Sequence, residues 1–336
     1  MAGLFYGIEP AVTAIALNAA WRIGSRALNN GWMWAIAAAS FIAIFTLHAP
    51  FPAIVATAAL VGALGGRIAP GVFQTNGRHG AAARRHGTAL IDDHTPTPPH
   101  ARYSHAQMAR VLIAAVLLWL VPMALLVVWV GWTGTFAQMG WFFTKAAMLT
   151  FGGAYAVLPY VVQGAVAHYG WLNATQMIDG LALGETTPGP LIMVVAFVAF
   201  VGGWQSADVN ALMAEAFGPQ GTLVGAVLAA VLVTRFTFLP SFVFILAGGP
   251  LVESTHGDLK FTAPLTAITA AVVGVILNLA LYFARHVLWP AGLGGHFEWP
   301  AALIALAALL ALWRFKRGVI AMCALAGLAL RLAGAV

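Results

Sequence analysis

Of 336 residues, 61 % are hydrophobic and only 8 % are Asp, Glu, Lys or Arg, about a third of the charge a soluble domain carries. So few charged side chains cannot cover a water-exposed surface of this size, which excludes a soluble enzyme, a disordered chain and a disulfide-stapled secreted domain. The single cysteine, Cys323, leaves no internal disulfide and no cysteine metal site, and the net charge of +6 is what basic loops give a membrane protein, so it does not argue for nucleic acid.

The composition is that of an all-α polytopic membrane protein whose first partner is the lipid bilayer. Apolar stretches appear near 3–21, 32–48, 51–67, 110–131, 141–163, 187–204, 219–247, 262–284, 299–313 and 318–335, which predicts about ten membrane segments. Several of them are short and come in tight pairs separated by proline or basic residues, as broken or re-entrant helices do. Three spans fill 1–67, a polar tract follows over 68–109, a connecting span over 110–131, and the remaining segments lie in 137–336.

The tract GRHGAAARRHGTALIDDHTPTPPHARYSHAQ has no hydrophobic period and reads as a linker. It holds His79, His86, His94, His100 and His105 at irregular spacing, the pattern of a solvated segment rather than a metal site. Arg67, Arg78, Arg84, Arg85, Arg102 and Arg110 cluster there, so the positive-inside rule puts the linker in the cytoplasm. Arg22 and Arg26 then lie inside, His48-Ala49-Pro50 outside, and the triple Arg314, Lys316 and Arg317 inside. Lys260 and Arg285, separated by one span, cannot both follow the rule.

Residues 4–21 and 265–282 share an apolar pattern and small-residue content, and each is followed by a basic end and a pair of short spans. The charge rule gives the two copies opposite topology, which predicts an inverted repeat of the kind secondary transporters use, with a site at the repeat interface. The second copy begins near 141 and the first has no equivalent of 141–250. The chain is therefore expected to be the later portion of a longer duplicated protein.

Chemistry concentrates in 141–205. Gly152 and Gly153 interrupt an apolar segment, Pro159 follows, and Glu185-Thr186-Thr187-Pro188-Gly189-Pro190 introduces another span. Glycine and proline there free backbone N–H and C=O groups that hydrocarbon does not satisfy. Thr187 suits a helix cap and Pro188 the first helical position, and such an end is a cradle for an anion; close helix packing at GG and PGP is the competing reading. Lys145, Asp179, Glu185 and Arg235 lie in or beside apolar segments, where charge is costly unless paired or hydrated. Lys145 and Arg235 are candidate anion ligands, against snorkelling for Lys145 and a structural pair with Glu185 or Asp179 for Arg235. Glu185 is a candidate protonatable switch. Glu9, before Pro10, is placed near an interface, and Asn278 is read as a helix–helix hydrogen bond. There is no Walker lysine motif, no metal-ligand spacing among His168, His256, His286 and His296, and no nucleophile–base pair, so neither ATP hydrolysis, a metal site, a cofactor nor enzymatic catalysis is expected.

The segments FGGAYAVLPYV, GLALGETTPGPLIMVVAFVAFVGG and LPSFVFILAGGPLV resemble the C-terminal half of the chromate ion transporter family, and AGLFYGIEPAVTAI with the PFPAIV…GALGG pair resembles the end of its N-terminal half. The resemblance implies secondary transport of chromate, a divalent tetrahedral oxyanion, out of the cell across the bacterial inner membrane, with sulfate or another oxyanion as the alternative cargo. It marks Gly152, Gly153, Pro188, Gly189 and Pro190 as motif positions. A motif copy expected in the first half is absent, which allows a misassigned start, a degraded and non-transporting remnant, or a second chain supplying the rest. Protons as coupling ion and a homodimer complete the expectations.

Overall fold

The computed structural model describes residues 2–73, 105–150, 154–186, 192–248, 262–292 and 294–315. The described residues are helical throughout, joined by short turns. In chain order they form α1 (Ala2–Ala27), α2 (Gly31–Leu47), α3 (Phe51–Ile68), the single turn α4 (Pro70–Phe73), α5 (His105–Val130), α6 (Thr135–Met148), α7 (Ala154–Val162), a π-helical turn (Gln163–His168), α8 (Ala174–Thr186), α9 (Ile192–Gln205), α10 (Ala207–Phe217), α11 (Gly221–Val243), a second π turn (Phe244–Gly248), α12 (Thr262–Leu288) and α13 (Trp299–Phe315).

Four helical runs are long and apolar enough to cross a membrane: Phe51–Ile68, His105–Val130, the continuous Ala207–Gly248 and Thr262–Leu288; Gly31–Leu47, Met193–Gln205 and Trp299–Arg314 are shorter apolar helices. The chain is a polytopic all-α membrane protein. Of its long helices, α12 is the centre, with 67 % of its apolar window buried, whereas α5 lies at the perimeter with 6 %.

One bundle is assembled around α12. Helix α1 packs along it, α2 and α3 pack on its other sides, and α13 packs on α1. Gly24 approaches Val273, while Tyr6 at the opposite end of α1 donates a hydrogen bond to Glu298 Oε2 at 2.9 Å, and Glu298 N–H bonds to the carbonyl of Leu288. The two long helices therefore run antiparallel. Small residues permit the approach: a side chain on Gly274 would collide with the backbone carbonyl of Ala37, and one on Gly62 would stand 2.6 Å from the carbonyl of Ala263.

The second bundle is α6, α9 and α11, with α10 across one end. Gly203 faces Ala226 and Ala229, and Gly140 faces Phe236. Helix α6 begins without a cap of its own at Gly134; Asp208 of α10 supplies one, its carboxylate accepting from Thr135 N–H and Thr135 Oγ1, both at 2.8 Å. Carboxylate at a helix N-terminus satisfies free donors and complements the dipole.

Both π turns start four residues after a helical proline, Pro159 and Pro240.

Hydropathy located α2, α3, α9, α12 and α13 to within a turn or so, but three readings change. The span expected at 141–163 is two helices, α6 starting at Thr135 and α7 at Ala154. The polar stretch before 187 contains α8, and the unassigned interval after 204 contains α10. His105, placed in the linker, opens α5; most of the linker and the span expected at 318–335 lie outside the described residues.

Candidate functional site

The sequence points to the breaks between α6 and α7 and between α8 and α9. Gly152 and Gly153 of the first, and Thr187, Pro188, Gly189 and Pro190 of the second, lie outside the described residues. The helices that deliver them are described. Helix α6 leads through Leu149 and Thr150 to the first break, and α8 ends at Thr186, so Glu185 stands in the last turn before the second.

Between the breaks, an aromatic stack holds the chain. Phe142 stacks on Tyr160 at 4.7 Å, Phe143 on Trp171 at 6.0 Å, and Tyr169 on Trp171 at 4.4 Å. Offset-stacked and edge-on rings of this kind add specificity to burial, and here they fix the turn over 169–173 from which α8 departs. Asn173 and Gln176 then exchange backbone and side-chain hydrogen bonds at 3.0 and 2.9 Å, closing the first turn of α8.

Helix α8 packs on α9 and on α1. That contact puts Glu9 and Asp179 on two helices that pack together. Asp179 Oδ1 is buried and has no hydrogen-bond partner among the described residues. Glu9 was read from sequence as an interface residue, and its partnership with Asp179 is invisible there because 170 residues separate them. The one signal was the shared oddity of a carboxylate within apolar text.

The two candidate cations face elsewhere. Lys145 Nζ lies 5.4 Å from the Trp141 ring centroid, a cation–π contact in a row of Trp119, Trp141 and Trp132 spaced by 5.9 and 5.8 Å. Among the described residues Arg235 makes no pair with Asp179, and the Glu185 side chain lies outside them. Its Nη2 donates to the carbonyl of Leu118 on α5 at 2.8 Å. The reason is in α5 itself: Pro122 lies within the helix, and lacking an N–H it leaves the carbonyl four residues earlier, that of Leu118, without its helical donor. Arg235 replaces the missing donor. It belongs to the α5–α11 joint, beside an apolar groove lined by Pro122, Leu126, Trp129 and Leu232.

Asn278, expected to bond between helices, has no hydrogen-bond partner among the described residues; it lines a cavity with His48, Gln163 and Tyr282. Gln163, the first residue of the π turn after Pro159, accepts from Phe51 N–H through Oε1 at 3.2 Å and donates from Nε2 to the carbonyl of Ala49 at 3.3 Å. It thereby ties the α2–α3 turn to the α7 segment. Among the described residues no three His, Cys, Asp or Glu side chains converge to hold a metal.

Comparison with known proteins follows the same boundaries. The chromate transporter family model matches residues 137–330, from α6 to beyond α13. The "Chromate transport protein" of Pseudomonas aeruginosa is 31 % identical over 332 residues, 97 % of this chain and 65 % of that protein. The "Chromate transport protein" of Cupriavidus metallidurans is 29 % identical over 182 residues, 54 % of this chain and 38 % of its own length. A "Probable chromate transport protein" of Synechococcus elongatus is 25 % identical over 186 residues, 55 % of this chain and 39 % of that protein. The chain thus spans less than two thirds of the length of each of these relatives. No solved structure matches it. A family model covering more than half of the chain, with its start at the first candidate helix, carries the conclusion: this chain belongs to the chromate transporter family.

Proposed function

We propose that the chain acts in secondary transport of a tetrahedral oxyanion, chromate foremost, outward across the bacterial inner membrane. The observation that carries this reading is the match of 137–330 to the chromate transporter family, together with its similarity to the chromate transport proteins of Pseudomonas aeruginosa and Cupriavidus metallidurans. The anion is held by backbone N–H groups at the two breaks, Gly152-Gly153 and Thr187-Pro188-Gly189-Pro190, where α6, α7, α8 and α9 end or begin. Lys145, three residues before the end of α6, is the nearest cation in sequence to the first break; Arg235 is spent on the Leu118 carbonyl at the α5–α11 joint and would reach the anion only by leaving it.

An inverted repeat underlies the site in this reading. The antiparallel pairing of α1 with α12 supports it, as does the exchange of short helices: α2 and α3 pack on α12, and α13 packs on α1. Proton coupling is assigned to Glu185, in the last turn of α8 before the second break; the protonation state of its carboxyl sets how strongly it repels the anion.

Everted vesicles from cells expressing the chain test this. Chromate uptake driven by an inward-acid gradient is expected, and is expected to lose its dependence on that gradient in Glu185→Gln. Uptake indistinguishable from vesicles without the protein overturns the function. Uptake of labelled sulfate in place of chromate moves the assignment to the sister anion.

A further inference from the structure

A cavity of about 170 Å³ lies between the α2–α3 turn, the π turn after α7 and the C-terminal half of α12. Its lining combines Ile44, Pro159, Val162, Val166 and Leu279 with four polar side chains, His48, Gln163, Asn278 and Tyr282. A single water needs only about 10–15 Å³ by this measure, so the space holds a small solute with part of its hydration. Gln163 is nine residues from Ala154, the start of α7, about 13 Å at the helical rise.

Its chemistry is one-sided. Gln163 has its only acceptor oxygen occupied by Phe51 N–H, and one amide hydrogen by the carbonyl of Ala49; what it has left to offer is the second N–H. Asn278 has no partner among the described residues and can turn its NH₂ to the space. The Tyr282 hydroxyl and the His48 ring each supply a further donor. Among the described residues no Asp or Glu lines the cavity. Donors converging in a hollow whose walls are otherwise apolar, with no carboxylate, suit an anion and repel nothing negative.

The backbone around it is equally unusual. His48 adopts φ 51°, the one positive-φ residue other than glycine among the described residues, and the facing helix is widened into a π turn. Backbone that leaves the α-helical register frees groups that need a partner, and a polar space supplies one.

We propose that this cavity is a second oxyanion subsite, holding the transported tetrahedral anion by Asn278, Tyr282, Gln163 and His48 on its way past the α2–α3 turn. The inference rests on the transport function proposed above, and the experiment separates the two. Equilibrium binding of labelled chromate and of labelled sulfate is measured on the purified chain in detergent, for the wild type, Asn278→Asp and Tyr282→Phe. Asn278→Asp keeps the shape and puts a carboxylate where an amide stood; it is expected to weaken oxyanion binding at least tenfold. Tyr282→Phe removes one donor and is expected to weaken it about threefold, and because it deletes a single oxygen it decides the matter should Asn278→Asp fail to fold. Wild-type affinity in Tyr282→Phe and in a folded Asn278→Asp overturns the subsite while leaving the transport function standing. A wild-type chain that binds neither anion removes both.

Discussion

If Arg235 exists to satisfy the carbonyl that Pro122 strips of its donor, the two residues must be energetically coupled although they lie on different helices. Removing Arg235 alone, as Arg235→Met, leaves the Leu118 carbonyl without a donor beside an apolar groove, a loss of about 1–3 kcal/mol. Replacing the proline alone, as Pro122→Ala, restores an N–H that can reach Leu118 within α5, and also removes a helix-interior proline worth up to about 3 kcal/mol. In the Pro122→Ala background the carbonyl no longer needs the guanidinium, so Arg235→Met is expected to cost under about 0.5 kcal/mol. The double-mutant cycle should therefore give a coupling of about 1–2 kcal/mol. Reversible unfolding in mixed detergent micelles, followed by tryptophan fluorescence, reads all four proteins; Trp119 of α5, whose indole N–H donates to Thr144 Oγ1 of α6 at 3.0 Å, reports on this joint. A coupling within about 0.3 kcal/mol of zero refutes the argument, as does a cost for Arg235→Met that is the same in both backgrounds.

Three further outcomes are expected. Gly274→Ala forces a methyl group into the backbone of α2 at Ala37 and should destabilise the first bundle by about 1–3 kcal/mol, whereas Gly71→Ala, which meets nothing within 4 Å, should be close to neutral; equal unfolding midpoints for the two would contradict the packing. Asp208→Ala strips α6 of its only side-chain cap and should cost about 1–2 kcal/mol, with Asp208→Asn recovering part of it because an amide oxygen still accepts from Thr135. Glu9→Gln and Asp179→Asn should each raise the unfolding midpoint at neutral pH, and the double variant should gain less than the sum by at least about 0.5 kcal/mol, since one repulsion can be relieved only once; strict additivity would show that the carboxylates do not interact.

The sequence made the apolar elements readable because bilayer thickness leaves so little choice of length and composition. Asn30 caps α2 by accepting from Met33 N–H at 3.0 Å and Pro50 precedes α3, so the α2–α3 pair was visible in both hydropathy and punctuation. Helices α8 and α10 were missed for the converse reason. Each is short and mixed in polarity, and each is held by tertiary contacts, α8 by the aromatic stack around Trp171 and α10 by its bond to Thr135. The family motifs were legible as glycine and proline text. The roles of the charged residues were not: that Arg235 answers Pro122, and that Asp179 meets Glu9, depends on which helix faces which, and hydropathy carries no information about azimuth. Arg285 is exposed near the C-terminal end of α12, and Lys260 lies outside the described residues.

In a protein surrounded by hydrocarbon, every polar group must have a partner or a reason to lack one. Arg235 has the Leu118 carbonyl, Lys145 has Trp141, Asp208 has the start of α6, and Tyr6 has Glu298. These groups are consumed by the fold, and those on α5, α6 and α11 are consumed on the outer side of the second bundle. Among the described residues Asp179 Oδ1 and the Asn278 amide are left without partners, the first on α8 against α1, the second on α12 beside the π turn that follows α7. Both belong to the seam where α1, α2 and α12 meet α7 and α8. Unspent hydrogen-bonding capacity is what a passing hydrophilic solute requires and what lipid penalises. The proposed route for the anion is accordingly drawn along this seam and not through the larger groove at Arg235, whose remaining lining offers an oxyanion nothing but hydrocarbon.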